Sequence, residues 1–330
     1  MEQTPTQLTY REAIRQALAE EMRRDPRVLL LGEDIGEAGG VFKVTEGLYG
    51  EFGPQRVIDT PIAENGFVGA AFGMAITGLR PVVEIMFADF LGVCMDPIVN
   101  SIAKHCYMSG GQSSVPLVIR VAGGGGIRFG AQHSQTGESW LRVFPGLKIV
   151  APSNPADAYL LLRAAIRDDN PVIFIEHKFM YAMKGPVPVG QEPEPLGRSA
   201  VVRPGRDVTI VASLLMVDRS LKAAEVLARE DGIEAEVVDL RMLRPMDVDT
   251  IVASVARTGR LLTVEEQPVV GGWGGDVVAF AAERAFRHLK AAPQRLGLPD
   301  APLPFSPVLE DAAIPSVERI VQAVRAMWQQ

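Results

Sequence analysis

Apolar residues recur along this chain in two rhythms, short near-continuous runs and longer stretches of helical period, and the two alternate almost throughout. Thr9 followed by Glu12 reads as a capping box, opening a helix that the pattern carries through about Arg24. RVLLLGEDIG then reads as a buried strand running into a glycine-rich loop. RPVVEI, PLVIRVA, LKIVAP and PVIFIEH are further strands, with NGFVGAAFGMAITG and NPADAYLLLRAAIRD as helices between them. Continuous apolar strands separated by helices predict an α/β fold with a mostly parallel sheet covered on both faces.

From Lys184 to Arg198 the sequence KGPVPVGQEPEPLGR is dense in proline and glycine and follows neither rhythm, which predicts a boundary between domains 1–190 and 191–330. Beyond it the alternation restarts: DVTIVAS, IEAEVVDL and RLLTVEE as strands, LKAAEVLARE and DVDTIVASVAR as helices, and SVERIVQAVRAMW as a closing amphipathic helix. A length of 330 residues exceeds one ordinary core, and 47% apolar residues suffice to fill two. The net charge of −7, with no basic stripe, argues against nucleic acid as a partner. Cys94 and Cys106 fall about three turns apart on a predicted helix, too far to bridge, so reduced, buried thiols and a cytoplasmic location are expected. MEQTPTQLTYREAIRQ has no apolar core of a targeting signal, and no apolar run reaches membrane-spanning length.

Three stretches could carry chemistry. In DTPIAENG, Glu64 follows a strand-like RVID and a proline turn and precedes a small-residue helix; a helix cap explains it as well as a ligand contact does. In EIMFADF, Met86, Phe87 and Phe90 cluster beside Asp89 at a strand end, a pattern that also suits a core. GGGGIRFGAQHSQ sets four glycines ahead of His133, so that backbone could approach a ligand and an imidazole could relay protons; a solvent loop with an incidental histidine is the alternative. His105, His177 and His288 read as structural, and no pair has metal-ligand spacing. GEDIGEAGG and GGWGG lack the register of a dinucleotide fingerprint, and GGWGGDVVAF reads instead as a helix start packed close on its sheet with Asp276 in the first turn. Neither G-x-S-x-G nor a Walker sequence occurs.

Taken in order, GEDIG, GGVF, FG-x-x-RVIDTPIAE, GLRPVVE, YMSGGQ, QHSQ, PGLKIV, AIRDDNPV, DLRMLRPMD, VEEQ and LPD-x-P-x-P form a string that resembles the β subunits of thiamine-diphosphate-dependent first components of 2-oxo acid dehydrogenase complexes. The resemblance spans nearly the whole chain. It implies an N-terminal transketolase-like pyrimidine-binding domain and a smaller C-terminal α/β domain of transketolase type, with thiamine diphosphate shared with an α subunit. Glu64 matches the glutamate that shares a proton with the aminopyrimidine ring, favouring the tautomer whose exocyclic nitrogen deprotonates the thiazolium carbon. Phe90 matches the aromatic residue stacked on that ring, with Met86 nearby, and His133 matches a histidine associated with passing the acyl group to a lipoyl arm. Leu117, Ala165, Asp168 and Asn170 fall where the family holds a structural potassium ion through carbonyls.

Thiamine enzymes complete in one chain carry a G-D-G segment ending in Asn-Asn, which holds the metal on the diphosphate, and no GDG occurs here. The resemblance therefore implies that Mg2+ is bound mainly by the α subunit, in an α2β2 heterotetramer that serves a lipoylated acyltransferase core. The implied reaction is oxidative decarboxylation of pyruvate or a branched-chain 2-oxo acid. Acetoin cleavage is the alternative, because EHK-x-x-x-Y-x-x-KGPVP from Glu176 to Pro188 is reminiscent of acetoin dehydrogenase β subunits. A non-catalytic docking subunit on the same fold is a third reading, against which Glu64 argues. Pro97 stands where the family commonly has glutamine, and leaves open whether MDPIVN starts a helix or bends one.

Overall fold

The computed structural model describes residues 5–328, which pack as two compact units: the chain up to Gly123 together with Trp140–Leu196, and Gly124–Ser139 together with the chain from Gly197.

The first unit opens with β1 (Thr6–Thr9) and α1 (Tyr10–Arg24). Thr9 and Glu12 form both bonds of the capping box expected there. Then come β2 (Val28–Gly32), α2 (Leu48–Phe52), β3 (Val57–Asp59), α3 (Glu64–Ile76) and β4 (Arg80–Ile85). The one-turn α4 (His105–Met108), β5 (Val118–Gly123), β6 (Lys148–Val150), α5 (Pro155–Arg167), β7 (Val172–His177) and β8 (Lys184–Val187) complete it. Within the unit the main sheet runs β6-β7-β5-β4-β2-β3, every pair parallel. Strands β2, β5 and β7 are buried at every position, as a sheet covered on both faces requires. Strand β8 pairs antiparallel with β1, so the first four residues of the proline-rich stretch are ordered by a partner some 180 positions away that local pattern cannot reveal. Helices α1 and α5 pack together, and the buried Glu21 of α1 accepts from Arg163 at 2.9 Å and Arg167 at 2.7 Å on α5.

The second unit contains β9 (Ala200–Arg203), β10 (Val208–Ala212), α6 (Leu215–Asp231), β11 (Ala235–Asp239), β12 (Met242–Arg244) and α7 (Val248–Thr258). It continues through β13 (Leu261–Pro268), α8 (Gly274–Ala285), β14 (Gln294–Leu298), α9 (Pro307–Ala313) and α10 (Val317–Trp328). Its five-stranded sheet runs β14-β13-β10-β11-β9, with only β9 antiparallel. In α10, Ile320, Val321, Val324 and Met327 make the buried stripe expected of the closing helix. The glycines of GGWGG serve the close packing expected of them: a Cβ on Gly274 would lie 2.4 Å from Thr263 Oγ1, and Asp276 stands in the first turn of α8. Among the described residues no helix is long and apolar enough to cross a membrane.

The thiols depart from expectation. Cys94 is buried, but Cys106 is exposed, because α4 lasts a single turn and turns Cys106, Tyr107 and Met108 outward rather than extending a buried helix. Pro97 sits in the first turn of a π-helical segment, Pro97–Ile102, where its missing N–H removes no helical bond.

Candidate active site

Strands β3, β2 and β4 are adjacent and parallel, so the loops that follow them emerge along one edge of the sheet, the edge where open α/β sheets bind ligands. Glu33 follows β2, Glu64 follows β3 and Met86 follows β4. Two of these loops are stitched together: Asp59 accepts from the Gly36 amide at 2.7 Å, and a Cβ on Gly36 would sit 2.4 Å from the Asp59 carboxylate. The glycine of GEDIG is thus required by close approach to DTPIAENG.

Glu64 is the first residue of α3, and the preceding Ala63 provides no side-chain cap. It is only 7% exposed, and no donor among the described residues hydrogen-bonds its carboxyl. It therefore caps nothing through a side-chain bond. Sequence reasoning passes over Glu33, yet it is equally buried, and its Oε1 has no hydrogen-bond partner among the described residues. Burial first, and then the charges of Glu64 and Asp34, push the Glu33 carboxyl above the ordinary carboxylate range. The signal that could have found it is an acidic pair ending a wholly apolar strand. Cys94 links this pair of acids to the aromatic turn. Its thiol donates to the Phe90 carbonyl at 3.6 Å and is pushed up to about 12 by burial and by the charge of Glu64.

Phe90 lies half-buried in a 3-10 turn, Ala88–Gly92, and Met86 is half-buried just before it. Phe87 meets Phe90 edge-on with ring centroids 5.6 Å apart and Phe42 at 5.8 Å, and Phe42 lies 5.1 Å from Tyr181. The Lys178 ammonium stands 5.4 Å over the Phe87 ring. One face of the Phe90 region is thus fixed by an aromatic row.

Deeper in the sheet, Arg120 on β5 donates to Glu176 on β7 at 2.6 and 2.9 Å and to Glu84 on β4 at 2.7 Å, and Tyr181 donates to Glu176 at 2.7 Å. Arg120 and Glu176 are both almost wholly buried. This network includes the first residue of the EHK stretch. His177 is also buried, with Nδ1 accepting from the Phe179 amide at 3.2 Å, a structural role.

His133 belongs to the second unit. Its loop closes on itself through Gly124 N–H to Gln135 O at 3.2 Å, and lies half-buried at the histidine. His105 packs edge-on against Phe72, and His288 sits in a 3-10 turn.

Asp168 caps the C-terminus of α5, Ala165 lies in its last turn, Asn170 is in the following turn, and Leu117 immediately precedes β5. The carbonyls of Leu117, Ala165 and Asp168 already accept from Val172 N–H, Asp168 N–H and Arg80 (2.7 Å), so a cation there would take their second lone pairs. Lys148 pairs with the Asp168 carboxylate and, with Asn170 donating to it at 3.0 Å, holds it below its usual range against the cost of burial. The four residues present carbonyl chemistry suited to a hard cation, with Arg80 as a competing charge. A cavity of about 340 Å3 beside them is lined by Arg24, Arg27, Arg80 and Arg167, but each guanidinium is engaged by an acid or carbonyl. Among the described residues no group of three or more His, Cys, Asp or Glu side chains is arranged to hold a metal.

The order of these elements has counterparts. Residues 6–184 match the family described as "Transketolase, pyrimidine binding domain", and residues 197–320 match "Transketolase, C-terminal domain". The fold and its carboxyl-edge loops therefore define a two-domain, transketolase-like protein of a thiamine-dependent enzyme family. The chain is 49% identical to the β subunit of acetoin:2,6-dichlorophenolindophenol oxidoreductase of Cupriavidus necator, with 96% of each chain covered. It is 46% identical to the pyruvate dehydrogenase E1 component β subunit of Rickettsia felis, covering 97% of this chain and 98% of that one. A solved structure entitled "Split gene transketolase, inactive beta4 tetramer" superposes with a TM-score of 0.80 at 28% identity over 98% of both chains. The chain belongs to the family of β subunits of E1 components of pyruvate and acetoin dehydrogenase type.

Proposed function

We propose that this chain is the β half of a thiamine-diphosphate-dependent 2-oxo acid dehydrogenase, active with an α subunit in an α2β2 heterotetramer. The observation that carries this reading is Glu64, a buried carboxyl at a sheet's carboxyl edge with no hydrogen-bond donor on its own chain among the described residues. A carboxyl so placed is costly unless a partner arrives, and an aminopyrimidine nitrogen is a suitable one. Thiamine diphosphate, when bound, supplies an electron sink for the carbanion that decarboxylation leaves. Glu64 would hold the proton shared with the aminopyrimidine, Phe90 and Met86 would hold its ring face, and Mg2+ would be held mainly by the α subunit. His133 would serve the later transfer of the acyl group to a lipoyl domain of an acyltransferase core. Potassium would be held by the carbonyls of Leu117, Ala165, Asp168 and Asn170. The cytoplasm is the compartment that suits two unpaired cysteines.

The substrate is pyruvate or a branched-chain 2-oxo acid in this reading. Acetoin is favoured by the Cupriavidus relative, whose name gives that substrate. The EHK stretch discriminates less than its sequence suggests, because Glu176, His177 and Lys178 are buried and Glu176 is bound by Arg120 and Tyr181. Calorimetric titration of thiamine diphosphate and magnesium into the lone chain and into the co-expressed complex tests the shared site. Binding only in the complex is expected, and turnover of pyruvate, branched-chain 2-oxo acids and acetoin by that complex then ranks the substrates. Tight binding by the lone chain would remove the need for an α subunit.

A further inference from the structure

Three buried carboxylates, those of Glu138, Glu266 and Glu310, hold the loop that carries His133. Glu266, on β13, accepts from the Gly125 amide at 2.6 Å, and its carbonyl accepts from Thr136 Oγ1 at 2.9 Å. Glu310, on α9 and 0% exposed, accepts from the Gly126 amide at 2.8 Å, from the Arg128 amide at 3.3 Å and from the Arg128 guanidinium. Arg128 also reaches Asp311 through two bonds of 2.8 Å. At the far end of the loop, Glu138 accepts from Ser213 at 3.0 Å and from the Trp273 indole at 2.9 Å.

The backbone is shaped to suit these anchors. Gly124, Gly126, Arg128 and Gly130 all take positive φ, and the amides of Gly125 and Gly126 between them reach Glu266 and Glu310. At Gly125 a Cβ would stand 3.0 Å from Ile314 and Leu303 and 3.2 Å from Glu310, so the run of glycines serves close approach to α9. A solvent loop would need none of this. Charge-assisted bonds to backbone amides are among the stronger ones available, and here they fix main chain rather than a side chain.

We propose that Glu310 and Glu266 are positioning residues for His133: by gripping the amides of Gly125, Gly126 and Arg128, and in the case of Glu310 the Arg128 guanidinium as well, they fix where the loop presents the imidazole. This inference rests on the reading that His133 serves acyl transfer. Neither carboxylate touches the reacting atoms. Their effect is geometric, and displacing a group by about 1 Å from outside the site can cost about 10²-fold in rate.

The test uses the assembled heterotetramer with wild-type β, Glu310→Ala, Arg128→Ala and His133→Ala. Three quantities are measured: substrate-dependent reduction of an artificial electron-accepting dye, acylation of a free lipoyl domain, and chymotryptic cleavage at Phe129, which is 42% exposed within the loop. Glu310→Ala is expected to lower lipoyl acylation by about 10²-fold with dye reduction near wild type and faster cleavage. Arg128→Ala, which keeps the amide bonds to Glu310, should move the same way by less, and carries the test if Glu310→Ala does not assemble. A parallel fall in both activities would make Glu310 merely structural and overturn the proposal. So would faster cleavage with undiminished acylation, or an Arg128→Ala enzyme unchanged in all three. His133→Ala separates the two ideas: normal acylation in that variant sinks the reading of His133 and this proposal with it, whereas impaired acylation there alongside normal acylation in Glu310→Ala sinks the proposal alone.

Discussion

The first unit holds two sets of buried or half-buried carboxylates, and they differ in one respect. Glu176 and Glu84 share Arg120, and Glu176 also accepts from Tyr181. Glu33 and Glu64, at the sheet's carboxyl edge, receive no such cation, and the charge of Glu64 adds to the cost of burying Glu33. Burial is common to both; compensation is not. A buried acid that its own chain satisfies is part of the scaffold, while one left uncompensated next to another is a candidate for binding something else.

The comparison breaks most severely at Arg120. Arg120→Met would leave the buried Glu176 and the half-buried Glu84 without their cation, and the loss expected is roughly 3–5 kcal/mol of stability. Denaturant unfolding at several pH values checks it. Glu176 is already pushed up by burial, so without Arg120 it must stay protonated, and the variant should lose further stability as pH rises. A midpoint equal to wild type would mean that the saturated set does not hold the sheet.

Glu64→Gln tests the other set and should behave oppositely. Turnover of the heterotetramer should fall by about 10²–10⁴-fold, the range for a positioned acid or base. The thermal midpoint of the variant should not fall, because no bond on the chain is lost. Normal activity in Glu64→Gln would remove the proposed proton role, and failure of that variant to fold would place Glu64 with the scaffold.

Glu33→Gln sharpens the contrast through pH. The folded-state pKa of Glu33 lies above its ordinary value of 4.5, so the folded state holds a proton that the unfolded state releases. Between 4.5 and that higher value its contribution to stability declines as pH rises, and above it the charged carboxylate is a standing penalty. Replacement by glutamine should therefore stabilise the chain at neutral pH, with the gain vanishing below about pH 4.5. A gain that is the same at pH 4 and pH 7 would show that something other than charge was relieved.

How much of this could be read from the chain depends on how far apart the partners lie. The Thr9–Glu12 capping box, the strands from Arg80 and Val172 and the stripe of α10 are local patterns, and each forms as its spacing requires. Local motif singles out Glu64, Met86, Phe90 and His133, but what surrounds them is not legible there. Glu33 looks like part of a glycine loop, because nothing nearby in sequence says that Asp59 closes over Gly36 or that Glu64 stands within reach of its charge. The His133 loop lies in the first half of the chain, yet its anchors are Glu266 and Glu310, 141 and 184 positions from the glycines they hold. The exposure of Cys106 depends on where a helix stops after one turn, a boundary set by the surrounding packing rather than by propensity.

The smallest effect expected is at the thiols, and it measures how far the charge of Glu64 reaches. Cys94 is buried against the Phe90 turn with its pKa pushed up to about 12, burial being the larger cause and Glu64 the lesser. At pH 8 its thiolate is scarce, so a thiol reagent should modify Cys106 alone in the native chain and both cysteines after unfolding. In Glu64→Gln the lesser cause is gone and the larger remains. Cys94 should then stay unreactive at pH 8 but begin to react at a lower pH than in wild type, when labelling is followed up to about pH 11 in the still-folded chain. If Cys94 instead becomes reactive at pH 8 in that variant, the charge of Glu64 dominates this pocket and burial does not. The uncompensated set would then be a strong local field rather than two acids hidden from water.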